Sequence, residues 1–244
     1  MLPTLDQRLT FRQRPVDRSA VMYQRWSDLL FIHWKWDTAD LQSRLPAGLH
    51  IDTFEDQAWL GVVPFYMQRI RPRFLPPVPG ISWFLELNVR TYVHDDQGRP
   101  GVWFFSLDCD QPLAVWAAQT LFHLPYQHAA MKARKEGPRV IYECQRKGAP
   151  IAASFDYSLT GPTRAAQPGT LEFFLAERYL LFSSTPNGLR TGQVHHVPYP
   201  IANTTLNAWS DAPLLWNNWA SPLRPPDHVL GSPGVDVEIF PLQG

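Results

Sequence analysis

Glu86, Asn88 and Arg90 are the residues whose types and spacing could do chemistry. In Trp83-Phe84-Leu85-Glu86-Leu87-Asn88-Val89-Arg90-Thr91-Tyr92-Val93, Leu85, Leu87, Val89 and Val93 alternate with Glu86, Asn88, Arg90 and Tyr92. A period of two puts the polar set on one face of a strand. A carboxylate, an amide and a guanidinium then stand in one row, which suits a small polar ligand. Glu86 and Arg90 are about 13 Å apart along the strand, too far to pair directly. The pattern allows two placements. Facing outward, the row is a set of surface charges. Facing inward, it demands compensation for buried charge, and the arginine fork suits a carboxylate ligand.

Other residues carry weaker signals, each with a plain structural alternative. Glu177 falls three residues after Phe174 on the apolar stripe of a predicted helix and reads as a buried acid/base, a partner for Arg90, or half of a structural salt bridge. Its neighbour Arg178 is a candidate ligand contact, although only one of the two can share that stripe. His33 lies in a hydrophobic strand, where a satisfied core histidine is the ordinary role and a ligand contact the alternative. Tyr126 follows Pro125 and is either a core aromatic or a hydroxyl in a site. His195 and His196 are adjacent on a strand and point apart, so the pattern signals no metal centre and no cofactor. There is no phosphate-binding glycine loop or serine elbow.

The elements that must position these residues are mostly strands. Trp26 to Trp36 is apolar on both faces and reads as central. Asp37 starts a short helix that ends at Leu45-Pro46-Ala47-Gly48. Hairpins are expected for Leu49–Phe54 with Ala58–Arg71, where Pro64 implies a bulge or an edge. The row's strand should pair with Val102–Asp108 through the turn formers at 94–101, Gln127–Lys135 with Val140–Arg146, and Leu180–Ser184 with Gln193–Val197 through Asn187-Gly188. A helix capped by Asp110, with Pro112 in its first turn, should pack Leu113, Trp116, Ala117, Thr120 and Leu121 against the strand pair. Another, capped by Thr170, is expected over 171–179. The chain beyond Ala202 reads as irregular until a final strand at 235–240. Repeated hairpins with about three short helices predict a mainly antiparallel α+β fold, its sheet curled enough to close on itself. Residues 1–20 read as an N-terminal arm and 21–244 as one β-rich domain.

Lys plus Arg and Asp plus Glu number 22 each, so the chain carries no net charge to draw a polyanion. No basic run with interleaved aromatics argues for nucleic acid, and no apolar run approaches the roughly 20 residues of a spanning helix. The first fifteen residues are polar and arginine-bearing without a signal core, which predicts a cytoplasmic protein. The two cysteines lack partner spacing and read as buried thiols. There are 24 prolines, about twice the usual share of about 5%, and they mark loops and rims at 72–79, 198–200 and 222–233. The 10 tryptophans fit an aromatic core, a stacking-lined pocket, or subunit contacts of a homo-oligomer.

Phe31-Ile32-His33-Trp34, Leu45-Pro46-Ala47-Gly48-Leu49, Ala58 to Phe65, Glu86 to Val93, Gly101 to Leu107, Leu124-Pro125-Tyr126 and Glu177-Arg178-Tyr179 together resemble the YqjF-like family of conserved bacterial proteins, over roughly residues 20–240. That family is similar to the acetoacetate decarboxylase-like superfamily. The resemblance implies a curled antiparallel sheet forming a cone or barrel-like clam around a small-molecule cavity, with a pocket carboxylate on a strand comparable to that of Glu86. Acetoacetate decarboxylases carry, near a helix end, a glycine-x-proline-lysine-lysine segment whose first lysine forms an imine with a substrate ketone. The comparable segment here is Leu124-Pro125-Tyr126-Gln127-His128, without a lysine. The resulting expectation is a cavity for a small anionic or carbonyl-bearing compound, with Arg90, Asn88, Tyr126, Arg178 and His33 as ligand contacts and Glu86 or Glu177 as acid/base. The rival expectations are a non-catalytic ligand-binding or regulatory domain and a structural oligomeric protein.

Overall fold

The structure is a computed structural model and describes residues 2–186 and 188–244. The elements run α1 (Leu5–Arg12), β1 (Met22–Trp36), α2 (Thr38–Ser43), β2 (Leu49–Ile51), β3 (Ala58–Pro72), β4 (Phe84–Asp95), β5 (Pro100–Cys109), α3 (Pro112–Leu121), β6 (Tyr126–Glu136), β7 (Arg139–Arg146), β8 (Ala153–Arg164), α4 (Leu171–Ala176), β9 (Leu180–Thr185), β10 (Gly188–His195), β11 (Ile201–Ala208), α5 (Ala212–Leu215) and β12 (His228–Ile239). Among the described residues no helix is long and apolar enough to cross a membrane.

The strands form one sheet in the order β10-β9-β5-β6-β7-β8-β11-β12-β1-β3-β4-β2, and β5–β4 and β10–β12 pair as well. Those two extra pairings close the sheet on itself twice. One circuit runs from β5 through β6, β7, β8, β11, β12, β1, β3 and β4 back to β5. The other runs from β10 through β9, β5, β4, β3, β1 and β12 back to β10. Pairing is antiparallel except where β5 meets β6 and β9. The fold is therefore mainly antiparallel and curled, as the hairpins predicted.

Of the strands common to both circuits, β1, β3 and β4 are covered on both faces over residues 27–34, 58–65 and 85–95. Leu30, Ile32 and Trp34 of β1, Leu60 and Val62 of β3, and Leu87 and Val89 of β4 pack into the core that holds Tyr142, Phe155 and Tyr157. Their opposite faces, with Phe31, Val63, Phe65 and Tyr92, join Phe173, Phe174 and Leu175 of α4. Runs apolar on both faces fit such doubly covered strands. Pro64 sits where the β1–β3 register breaks, between Ser27/Tyr66 and Ile32/Val62, so its missing donor is not required.

Several expectations are corrected. There are five helices among the described residues, not three. In the arm, Thr4 and Gln7 form a capping box for α1, which buries no residue and is fastened instead by ion pairs of Arg8 with Asp52 and, just beyond it, Arg14 with Glu238. β2 makes no hairpin with β3; β3 takes one edge of β4 from Phe84 to Thr91, and β2 takes the same edge from Val93 to Asp95. The cap of α3 is Gln111, because Asp110 instead accepts from Leu85 N at the start of β4. Helix α3 packs through its small face, Ala114, Val115 and Ala118, against Leu107, Cys109 and Tyr126, which leaves Leu113, Trp116 and Leu121 exposed. The tail contains β11, and β12 is twice the expected length, with Pro233 placed at a break in its pairing with β1. The β9–β10 hairpin forms, but Asn187 of its expected turn lies outside the described residues.

At that break Gly234 has φ +125°, and a Cβ there would meet the Trp26 carbonyl at 2.2 Å. Gly137, in the β6–β7 turn at φ +60°, has nothing within 4 Å. Gly137→Ala should cost about 1 kcal/mol in urea unfolding, the left-handed backbone term alone, and Gly234→Ala roughly 3 kcal/mol or more. Equal midpoints for the two variants would contradict the close approach of β12 to β1.

Candidate functional site

The polar row of β4 faces the interior. Glu86, Asn88 and Arg90 are 3%, 4% and 8% exposed. Their neighbours across the ladder are Phe65 and Cys109, Val63 and Leu107, and Gly61 and Phe104. Apolar strands on both sides thus enclose three side chains that water would otherwise solvate, and each must be compensated from within.

Glu86 meets Tyr126, the first residue of β6. The phenol donates to Glu86 Oε2 at 2.6 Å. Gln119 of α3 holds the Tyr126 carbonyl at 2.7 Å, and Tyr142 Oη donates to the Glu86 carbonyl at 2.8 Å, so both partners are fixed through their backbones. Burial raises the Glu86 carboxyl from 4.5 to about 7, against the Tyr126 and Asn88 side chains, which favour its charged form. Burial, with Glu86 beside it, pushes the Tyr126 phenol well above 10, so it stays a proton donor. A carboxyl that titrates near neutrality next to a fixed phenol can exchange a proton. Asn88 Oδ1 is buried with no partner.

Arg90 occupies the other end of the row. Its Nη2 donates to the Leu175 carbonyl at 3.2 Å and lies 3.4 Å from Tyr92 Oη. Its guanidinium carbon sits 5.3 Å from the Phe31 ring centre and 5.6 Å from that of Tyr92. Its Nε has no partner, and among the described residues no carboxylate pairs with it. His33 Nε2 shares a 2.7 Å hydrogen bond with the same Tyr92 hydroxyl. Burial, with His228 and Arg90 nearby, holds His33 well below 6.5 and therefore neutral.

Glu177 and Arg178 are both buried, although the helical reading allowed only one to be. Helix α4 ends at Ala176, and Glu177 leaves helical geometry at ψ 74°. Its carboxylate accepts from Tyr179 Oη and, at 3.0 Å, from Tyr199 N, and burial raises its pKa. Arg178 turns the other way, to Asp52 at 2.6 Å and the Phe174 carbonyl at 2.7 Å. Burial alone would raise Asp52, but Arg178 and Arg8 outweigh it and hold the carboxyl below 3.8.

The structure thus brings Glu86, Asn88, Tyr126, Arg90 and His33 onto one face, with Arg178 joining through the Tyr92 ring at 5.1 Å. Glu177 stands apart among Tyr179 and Tyr199. Tyr92 was legible as a hydroxyl two residues from Arg90 but was not singled out. Asp52 gave no signal, because its partners come from residues 8 and 178. All four lysines, Lys35, Lys132, Lys135 and Lys147, are exposed.

A family model for domain of unknown function 2071, described as uncharacterized conserved protein, matches residues 23–236. The chain belongs to that family. It is 40% identical over 210 residues to the uncharacterized protein YqjF of Bacillus subtilis (strain 168), covering 83% of this chain and 86% of that one. Among solved structures it resembles an acetoacetate decarboxylase, with TM-score 0.61 and 13% identity over 98% of this chain and 96% of the other. An acetoacetate decarboxylase-like enzyme from Sphingomonas wittichii RW1 gives TM-score 0.59 and 16% identity, covering 91% of each chain. The enduracididine biosynthesis enzyme MppR complexed with pyruvate gives 0.56 and 15%, over 93% and 90%. At these identities the likeness establishes an acetoacetate decarboxylase-like fold and leaves the chemistry of this family member to its own side chains.

The raised Glu86 carboxyl has a direct consequence for stability. The unfolded group ionises near 4.5 and the folded one near 7, so its favourable neutral form contributes fully below 4.5 and that contribution is lost as pH rises to 7. The gap between 4.5 and about 7, at about 1.4 kcal/mol per pH unit, corresponds to about 3 kcal/mol. Urea unfolding of wild type minus Glu86→Gln should therefore fall by about that amount between pH 4 and pH 8. A difference independent of pH would show that Glu86 is not desolvated.

Proposed function

We propose that the chain binds a small carboxylate-bearing carbonyl compound along the β4 row, with Arg90 as the anion anchor. The observation that carries this reading is a buried guanidinium with no carboxylate of its own among the described residues. Leaving a charge so placed without a counter-ion is unfavourable, and an arginine fork matches a carboxylate in two hydrogen bonds. Asn88, with its unpartnered Oδ1, and the Tyr126 phenol orient the reacting end. His33, held by Tyr92, lines the anchor. The Arg178–Asp52 pair fixes Tyr92 from the far side, and Glu177 braces the turn through Tyr199. MppR, which shares the fold, has been seen with pyruvate, a small 2-oxo acid of the class proposed.

In this reading Glu86 removes a proton from the carbon next to the ligand carbonyl. The C–H electron pair moves into the new carbon–carbon double bond, Glu86 becomes the neutral acid, and the resulting enolate oxygen takes a hydrogen bond from Tyr126. Returning the proton completes an exchange; dehydration or aldol-type chemistry proceeds from the same intermediate. An imine route needs an amine whose pKa is lowered inside the site, and the exposed placement of all four lysines supports a route without one. The same geometry also fits a ligand-binding domain without turnover, a reading favoured by the hydrogen bond that already occupies Glu86 Oε2. A cytoplasmic location and self-association through the apolar face of α3 belong to the same proposal.

Two measurements test it. Arg90→Met should be at least as stable as the wild type without ligand, since it removes an uncompensated buried charge of similar volume. It should also lose the thermal stabilisation that millimolar pyruvate or acetoacetate gives the wild type; an unchanged ligand shift would remove Arg90 as the anchor. Glu86→Gln should keep that shift while abolishing exchange of ligand methyl protons with D₂O, followed by NMR. Exchange that persists in the variant rules out Glu86 as the base, and its absence from the wild type leaves the binding-only reading.

A further inference from the structure

Arg90 stands in a row that crosses four strands. The register pairs Arg90 of β4 with Gly61 of β3, Gly61 with His33 of β1, and His33 with His228 of β12. Gly61 has to be small here. A Cβ at that position would lie 3.0 Å from His33 Cδ2 and 3.7 Å from Arg90 Cγ, so the imidazole and the arginine stem close over it. Trp59, two residues earlier on β3, shares the face of Gly61. Its ring centre is 6.4 Å from that of His228, and the His33 ring is 5.9 Å from His228.

The unsatisfied polar atoms along this row are all nitrogens. Trp59 Nε1, Arg90 Nε, His33 Nδ1 and His228 Nδ1 are buried without partners, and Trp59 and His33 are 3% and 0% exposed. The tryptophan and arginine nitrogens can only donate, and an imidazole whose other nitrogen accepts donates as well. His33 Nε2 is turned to the Tyr92 hydroxyl; the His228 backbone favours the charged form of His33, while His33 Nδ1 completes no hydrogen bond. The carboxylate that acts on His228, Glu172, is held in both oxygens by Arg164. A buried set of donors without an acceptor is the complement of a carboxylate, which accepts at about four sites and donates none.

The spacing limits the ligand's length. The Arg90 guanidinium reaches across β3 to lie over Phe31, a β1 residue. From there the His33–His228 pair is about one strand spacing away, roughly 5 Å. His228 is only half-buried, so this end of the row is the one nearer solvent.

Taking Arg90 as the anchor of one carboxylate in the binding-only reading above, we propose that Trp59, His33 and His228 form a second subsite and that the ligand is a short dicarboxylic acid. The distal carboxylate accepts from Trp59 Nε1 and from the free nitrogens of the two histidines. The subsite then sets specificity: a monocarboxylate leaves these donors unmet, which is costlier than losing an exposed hydrogen bond.

The test is titration calorimetry of the full chain with succinate and glutarate against propionate and butyrate. The wild type should bind at least one dicarboxylate about tenfold more tightly than either monocarboxylate, a difference of about 1.4 kcal/mol. Trp59→Phe, which keeps the ring and removes the donor, should bring the two classes within about threefold while leaving propionate binding unchanged. His228→Asn, at a half-exposed position, provides the same comparison should Trp59→Phe unfold the chain. Equal binding of the two classes by wild type, or a preference that survives both variants, overturns the second subsite and leaves the Arg90 anchor standing; the orphaned nitrogens then hold only water. No binding of either class overturns the anchor and the subsite together.

Discussion

β1, β3 and β4 belong to both closed circuits of the sheet, and over residues 27–34, 58–65 and 85–95 they have no face left for water. In an open antiparallel sheet the alternation of Leu85, Leu87 and Val89 with Glu86, Asn88 and Arg90 would turn the polar set outward. Here the second circuit, with β9, β10 and α4, covers that side as well. Each polar atom on it must find its partner inside the chain or in a ligand. Tyr126, Tyr92 and the Leu175 carbonyl meet part of that demand, and Asn88 Oδ1 and Arg90 Nε carry the remainder.

The two arginines on either side of Tyr92 show how differently the fold treats like charges. Arg178 has Asp52, and Asp52 is also gripped in both oxygens by Arg8 from α1. Arg90 has a carbonyl, a hydroxyl and two aromatic faces. Around Tyr92 and Phe174 there are thus, among the described residues, three guanidinium groups, Arg8, Arg90 and Arg178, and one carboxylate, Asp52, paired with the first and the last. An excess of positive charge in a low-dielectric enclosure raises the local concentration of anions. Aromatic faces lessen the cost of the unpaired cation without neutralising it. The planar guanidinium can use both rings and still present edge donors, which a lysine ammonium could not.

The β4 row, the β4–β5 hairpin, the central placement of β1 and the break at Pro64 were legible because alternation and turn chemistry are local signals. The direction of the row was not. Alternation states that two faces differ, and only the long-range pairings of β9 and β10 decide which of them meets water. Helix α3 was misread for a related reason. Leu113, Trp116 and Leu121 form the larger apolar stripe, yet the helix approaches β5 and β6 through Ala114 and Ala118, where small side chains permit close contact. β11, Ile201-Ala202-Asn203-Thr204-Thr205-Leu206-Asn207-Ala208, is polar and edge-like, so its pairings with β8 and, at Ala202, with β12 make it a strand. The cut-off of the predicted 171–179 helix at Ala176 follows from side chains that leave in opposite directions, Glu177 toward Tyr199 and Arg178 toward Asp52, contacts that no local pattern encodes.

The protonation state of the site follows from the same enclosure. Desolvation raises Glu86 to about 7 and lifts Tyr126 well above its ordinary value, while it lowers His33. One physical cause therefore yields a carboxyl balanced between acid and base, a phenol committed to donating, and an imidazole kept neutral. Glu86 and Arg90 stand four residues apart on a single strand, about 13 Å along its backbone. Both stand on β4, held on each side by ladder hydrogen bonds, so their separation is fixed more firmly than loops could fix it.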